Sequence, residues 1–149
     1  METHQDFREL LELFVAHEVE FLLVGAHALA YHGAPRFTGD LDIWVRPEPD
    51  NADRILAALS AFGFGGLNLR PEDFVEPRQV IQLGVPPVRI DFLTSLTGLT
   101  WEGAFEGRVP GELGGVPVDY LGRDQLVANK RATGRRQDLA DLDSLGEDA

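Results

Sequence analysis

The chain has 149 residues, of which 44% are hydrophobic, with a formal net charge of -12 and no cysteine. This length is typical of one domain, and the composition argues against disorder over the whole chain. The lack of cysteine excludes disulfides, a thiol nucleophile and Cys-based metal sites, and the acidic excess argues against non-specific binding to nucleic acid.

We expect neither a membrane span nor a signal peptide. No segment contains the roughly 18 consecutive apolar residues that a membrane span needs, and the acidic N-terminal region does not fit a signal peptide. We therefore expect a cytoplasmic protein that does not act at a membrane. One basic segment, residues 123–136, interrupts the acidic chain and contains Lys130, the only lysine.

Hydrophobic periodicity predicts the elements of the first half of the chain. Apolar residues at i, i+3, i+4 and i+7 predict an amphipathic helix over 5–17, and a short apolar run that ends at a glycine predicts a buried strand over 21–24. The next predicted elements are a helix over 26–32, a strand over 41–45, a helix over 51–61 and a Gly-rich turn at 63–66.

The second half has fewer clear elements. Two strands over 80–83 and 88–93, separated by Pro86 and Pro87, predict a hairpin. We expect residues 97–115 to be mostly loop, because they are rich in glycine and show little periodicity. A last strand over 116–120 and helices over 123–133 and 135–145 complete the prediction, the final helix placing Leu139, Leu142 and Leu145 on one face.

These elements predict an α/β or α+β fold, in which a small mixed sheet is flanked by helices. No internal repeat or long linker divides the chain, so we expect a single domain over 1–149 with a C-terminal helical segment at about 122–146.

Three aspartates carry the strongest chemical signal. Asp40 and Asp42 lie two apart on one predicted strand, so both carboxylates project from the same face. Asp91 alternates with the apolar residues of a later strand. If the two strands are neighbours, the three carboxylates converge, and hard divalent cations such as magnesium take oxygen ligands of this kind. Taken alone, the pattern also fits acidic residues on a solvated strand face.

The segment upstream strengthens the metal-site interpretation. Gly25 and Ala26 lie where the first strand meets a helix, followed by thirteen residues and then Asp40. A glycine at such a turn allows close approach of phosphate, and the start of a helix favours an anion. An ordinary strand-to-helix turn explains Gly25 equally well when it is considered alone.

The order of these motifs resembles the nucleotidyltransferase superfamily that includes DNA polymerase β and the minimal nucleotidyltransferases. That order is hydrophobic-Gly-small, a spacer, Asp-hydrophobic-Asp-hydrophobic and a later strand Asp. Residues 23–33, with Arg36, Thr38 and Asp40-Leu41-Asp42, look like the branch containing AbiEii-type abortive-infection toxins. The closing stretch with Lys130, Arg136, Asp138, Asp141 and Leu142 is similar to that branch as well.

The resemblance implies a catalytic site with two magnesium ions. It assigns Asp40, Asp42 and Asp91 as catalytic metal ligands, and Gly25 and Ala26 as the turn that holds the nucleotide phosphate. It implies a nucleoside triphosphate such as ATP as donor, attack on the α-phosphate and release of pyrophosphate. Members of the family often carry Ser after the glycine, whereas this chain carries Ala26.

Three further residues are candidates for nucleotide binding. The resemblance implies that Lys130 binds phosphate; ion pairs on a helix surface are the alternative for this basic segment. Arg36 and Thr38 precede the Asp40 strand and could hold phosphate or orient the carboxylates, although polar residues are common in loops.

The leading hypothesis is thus a magnesium-dependent nucleotidyltransferase that acts on a hydroxyl of RNA, a protein or a small molecule. It could be the toxin of a toxin–antitoxin system, with a small antitoxin-type protein as partner. The alternative hypothesis is a catalytically inactive member of the same fold that serves as a binding or regulatory module.

Overall fold

A mixed six-stranded sheet forms the centre of the protein in the computed structural model, which describes residues 5–34, 39–65, 67–85 and 88–148. The strands of this described part are β1 (Phe21–Val24), β2 (Asp40–Val45), β3 (Val80–Val85), β4 (Val88–Leu93), β5 (Val109–Leu113) and β6 (Val116–Tyr120). Their order across the sheet is β3-β4-β2-β1-β6-β5.

The sheet contains both parallel and antiparallel neighbours, and the two aspartate strands lie side by side. β1 is antiparallel to β2, and β2 runs parallel to β4. β3 and β4 pair antiparallel, as predicted for the hairpin. On the other side, β6 pairs parallel with β1 and antiparallel with β5. The mixed sheet with flanking helices confirms the predicted fold class.

Helices lie before, between and after the strands: α1 (Gln5–Ala16), α2 (Gly25–Tyr31), α3 (Pro49–Leu59), α4 (Trp101–Glu106), α5 (Arg123–Thr133) and α6 (Arg136–Ser144). A π-helical turn, Ser60–Phe64, extends α3 where a Gly-rich turn was predicted, and a short 3-10 helix, Pro71–Phe74, follows. No helix in the described ranges combines the length and the apolar character needed to cross a bilayer.

The core lies on both faces of the sheet because side chains alternate along each strand. On one face, the ring of Phe14 from α1 packs 5.5 Å from Phe21 and 5.8 Å from Phe92. On the other face, Trp44 of β2 packs edge-on against Trp101 of α4 at 5.3 Å. Asp42 and Asp91 share the Trp44 face, since they lie two residues from Trp44 and one from Phe92 respectively.

Two predictions from the sequence were wrong. Residues 97–115 contain α4 and β5 rather than loop alone. α4 is too short for visible periodicity and is capped at its N-terminus by Thr100, whose hydroxyl accepts a hydrogen bond from the Gly103 N–H. β5 contains proline and glycine and forms a hairpin with β6 through the turn Gly114-Gly115, a local signal that counting apolar periodicity does not detect.

The face assigned to the last helix was also wrong in part. Leu142 and Leu145 are buried, but Leu139 is 42% exposed. Asp138 and Asp141 lie on the buried face in its place. Their burial is explained by the ion pairs described below, which period counting of apolar residues does not detect.

Candidate active site

Asp42 and Asp91 are direct neighbours across two parallel strands. They are register partners in the β2–β4 pair, and the protonated Asp42 carboxyl can hydrogen-bond to Asp91. Asp40 lies two residues before Asp42 and therefore on the same face, at the beginning of β2. Asp91 is nearly buried, whereas the Asp40 side chain is 38% exposed. The sheet thus brings three acidic residues together at a partly exposed position.

Gly25 makes room for this arrangement. It follows β1 directly, where Val24 pairs with Asp42, and its backbone has φ +64°, a conformation that favours glycine. A Cβ added at Gly25 would collide with the Asp42 carboxylate. The glycine is therefore required in the ligand-free protein by the position of the carboxylate, in addition to any approach of phosphate.

The acidic cluster carries an unfavourable excess of negative charge. Burial raises the pKa of Asp42 to about 6, and the negative charges of Asp91 and Asp40 and the hydrogen bond with Asp91 add to this increase. The positive charge of Arg89 opposes the shift. A carboxyl group that resists ionisation in this way favours a nearby cation, because a cation removes the like-charge repulsion.

Arg89 is a site residue that the sequence patterns did not identify. Its Nε and Nη2 each donate to one oxygen of Asp91 at 3.2 Å, forming a two-point contact. Its Nε lies 3.9 Å from an Asp40 oxygen, and Arg89 is the register partner of Asp40. The alternation that placed Asp91 on this face also places Arg89 there, two residues earlier. The sequence pattern could therefore have identified Arg89.

His27 supports the beginning of β2 from the side of α2. Its pKa is lowered by burial, and a hydrogen bond with the Asp40 backbone partly opposes that shift. Its ring lies edge-on to Phe7 at 6.3 Å. This histidine therefore links α1, α2 and the start of the aspartate strand.

The other predicted site residues are placed differently. Ala26 is buried in the first turn of α2, beside Gly25. Arg36 and Thr38 lie outside the described residues. Lys130 lies on α5 and is not among the residues that the sheet brings together around Asp42.

Lys130 belongs to a second charged cluster, between α5 and α6. Its Nζ lies 2.9 Å from Asp141 and 3.4 Å from Asp138, and all three side chains are buried. Arg135 also donates from its backbone and its guanidinium to Asp138. These contacts, led by the Arg135 side chain, hold the pKa of Asp138 well below its usual range.

The fit of a metal ion depends on Arg89. As the side chains stand, no group of three His, Cys, Asp or Glu residues in the described part of the chain has an arrangement that could hold a metal ion. The carboxylate pair of Asp42 and Asp91 still offers the oxygen ligands that magnesium takes, and magnesium completes its shell with water and phosphate. Burial is the main cause of the raised pKa of Asp42, and the like charges of Asp91 and Asp40, which a cation would offset, add to it. These residues would fit a magnesium ion if Arg89 moved away from Asp91.

Comparisons with known proteins support the fold. A scan against protein-family models and a search of curated proteins found no match. Among solved structures, the chain is similar to a protein from Thermotoga maritima described as a "putative nucleotidyltransferase". The TM-score is 0.58 at 13% sequence identity, and the match covers 94% of this chain and 88% of the other. The protein therefore has a nucleotidyltransferase-like fold.

Proposed function

We propose that the protein is a magnesium-dependent nucleotidyltransferase that moves a nucleoside monophosphate from a triphosphate to an acceptor hydroxyl. The observation that carries this proposal is the contact between Asp42 and Asp91 on neighbouring strands, with Asp40 on the same face and the Gly25 turn against Asp42. The fold shared with the Thermotoga maritima protein supports the same class of activity.

Each residue has a defined part in the proposed reaction. Asp40, Asp42 and Asp91 would hold magnesium, which neutralises charge on the phosphates and activates an attacking oxygen. Asp91 would also accept the proton of the acceptor hydroxyl. Gly25 and Ala26 would hold the donor phosphate through backbone N–H groups at the start of α2.

The remaining cationic and polar candidates differ in their support. Arg36 and Thr38 stay in the proposal as phosphate donors on the segment before Asp40. For Lys130 to contact phosphate, its ammonium group would have to leave two buried aspartates. Such a loss is costly, so we assign Lys130 a structural part.

Transfer of labelled nucleotide tests the proposal. We expect the double variant Asp40→Ala, Asp42→Ala to lose magnesium-dependent transfer and to remain folded, since it removes repelling charges. The matched control is the double variant Asp50→Ala, Asp53→Ala, which changes two exposed carboxylates on α3. Unchanged transfer in the Asp40, Asp42 variant would show that the assignment is wrong.

A catalytically inactive binding module is the second candidate, and two observations favour it. Ala26 has no hydroxyl for phosphate, and Arg89 holds Asp91 in a two-point contact. Calorimetry with ATP and magnesium separates the candidates: micromolar binding favours the enzyme, whereas a lack of binding favours the module.

The acceptor and the biological role extend the proposal. The acceptor is a hydroxyl of RNA, a protein side chain or a small molecule, and mass spectrometry of these fractions after incubation with labelled triphosphates would identify it. The resemblance to AbiEii-type toxins supports a cytoplasmic toxin with a small protein partner. Arrest of growth on expression, relieved by a co-expressed partner, tests that role.

A further inference from the structure

Arg89 connects the acidic cluster with the solvent. It is a cation in direct contact with Asp91, and its side chain remains 35% exposed while that of Asp91 is only 12% exposed. Both donors of the guanidinium edge are used on Asp91. A metal ion that uses either Asp91 oxygen must therefore compete with Arg89.

From this geometry we propose that Arg89 is an exchangeable counter-ion: it holds Asp91 in the ligand-free protein and moves to the donor phosphate when metal and nucleotide bind. The inference rests on the proposed function. It assigns a positioning and phosphate-binding role to a residue outside the motif of acidic residues and glycine.

The charges around the site explain why the exchange is favourable. Among the described residues, the three neighbouring carboxylates of Asp40, Asp42 and Asp91 face one guanidinium, so the ligand-free cluster keeps an excess of negative charge. A divalent ion neutralises more of this charge than Arg89 does. Each partner of the broken Arg89–Asp91 contact would also gain a new one. The ion would bind Asp91, and the guanidinium would bind phosphate oxygens with the same two-point geometry that it uses for a carboxylate.

The position of Arg89 permits the movement. It lies at the beginning of β4, beside the beginning of β2, where Asp40 is half-exposed. The side chain has a long flexible stem, and its head is partly in water, so a swing away from Asp91 breaks no core packing. Asp91, by contrast, is fixed within a central strand.

Binding of Mn²⁺ alone, measured by electron paramagnetic resonance, tests the first half of the proposal. We expect Arg89→Ala to bind Mn²⁺ about fivefold more tightly than the unchanged protein, as the loss of a partly exposed ion pair allows. Arg89→Lys keeps the charge but loses the two-point contact, and we expect it to bind Mn²⁺ more tightly as well. Arg108→Ala is the matched control, because Arg108 has an exposure similar to that of Arg89 and forms an ion pair with Asp119.

ATP affinity tests the second half. With Mn²⁺ at saturation, we expect Arg89→Ala to bind ATP about tenfold more weakly, and Arg108→Ala to bind it unchanged. A purely structural Arg89 would lower both affinities together, so opposite shifts for Mn²⁺ and ATP are the signature of exchange.

The possible failures are distinguishable. If the unchanged protein binds Mn²⁺ and ATP but Arg89→Ala binds Mn²⁺ no more tightly, the exchange is wrong and the proposed function stands. If Arg89→Lys binds Mn²⁺ like the unchanged protein, the positive charge alone competes with Mn²⁺ for Asp91, and the proposed role of the two-point contact is wrong. If neither the unchanged protein nor any variant binds Mn²⁺, the proposed function itself fails.

Discussion

The two charged clusters of this protein differ in balance and exposure. Around Asp42, three carboxylates face Arg89 at a half-open position of the sheet. Between α5 and α6, Asp138 and Asp141 are buried with Lys130 and bound from outside by Arg135.

The pKa values follow this difference. The pKa of Asp42 is raised to about 6 by burial and like charges, whereas the pKa of Asp138 is held below its usual range, chiefly by Arg135. An unbalanced, accessible cluster costs stability and is available for a ligand, while a balanced, buried cluster holds elements together. The comparison supports our proposal that the first cluster binds a ligand and that the second stabilises the fold.

Loss of Lys130 should produce the largest effect on stability. Lys130→Met leaves two aspartates buried without their shared ammonium group, so we expect the free energy of unfolding to fall by about 3 to 5 kcal/mol. Urea denaturation measures the change. Arg131→Ala, its exposed neighbour on α5, is the control and should cost less than about 1 kcal/mol.

A double variant sharpens this prediction. Adding Asp141→Asn to Lys130→Met removes one of the uncompensated charges and should restore part of the lost stability. If Lys130→Met alone costs no more than Arg131→Ala does, the buried cluster is not structural, and a phosphate-binding role for Lys130 becomes the better explanation.

Replacement of Gly25 should have the next largest effect. Gly25→Ala introduces a Cβ at positive φ and against the Asp42 carboxylate, so we expect a loss of about 3 kcal/mol in unfolding free energy. Gly134→Ala is the matched control, because φ is +57° there but the nearest other atom is 3.7 Å away. Its cost should be about 1 to 2 kcal/mol.

The collision can be relieved to identify its cause. Asp42→Ala removes the carboxylate that the new Cβ would meet, so Gly25→Ala should cost less in that background than in the unchanged protein. Equal costs in the two backgrounds would show that Asp42 does not explain the glycine.

Neutralising Asp42 should stabilise the fold at neutral and alkaline pH. Because the folded pKa is raised to about 6, the ionised carboxylate destabilises the protein above that pH. Asp42→Asn should therefore gain about 1 to 2 kcal/mol at pH 8, and the gain should disappear below about pH 4, where Asp is protonated in both states. Thermal unfolding across this pH range, with Asp53→Asn on α3 as control, measures the difference.

At the cluster between α5 and α6, acidification should lower the stability of the protein. The pKa of Asp138 is lowered on folding, so its stabilising contribution is present above the pKa of an unfolded Asp and is lost as pH falls towards the folded value. Asp138→Asn should therefore flatten the loss of stability at low pH. A variant with the same acid profile as the unchanged protein would contradict the role of Asp138.

The sequence predicted the acidic site better than its supporting contacts. Period-two alternation placed Asp40, Asp42 and Asp91 on one face, and pairing of β2 with β4 then brought them together. Arg89 follows the same alternation but was not singled out, because a single strand does not reveal which carboxylate an arginine will bind.

The parts that failed depend on pairing between neighbouring elements rather than on the pattern within one element. β5 forms because β6 lies beside it, and the burial of Asp138 requires Lys130, eight residues earlier on another helix. Apolar periodicity contains neither fact. The role of Gly25 was expected from its position at a turn, but its contact with Asp42 required the paired strands.

The position of the transferred label tests the central claim most directly. The protein is incubated with magnesium and ATP labelled at either the α- or the γ-phosphate, together with RNA, protein and metabolite fractions. We predict that α-label enters an acceptor fraction and γ-label leaves as pyrophosphate, and that Asp42→Asn and Asp91→Asn abolish the transfer. Transfer of γ-label instead, or α-label transfer that survives both substitutions, would contradict the claim.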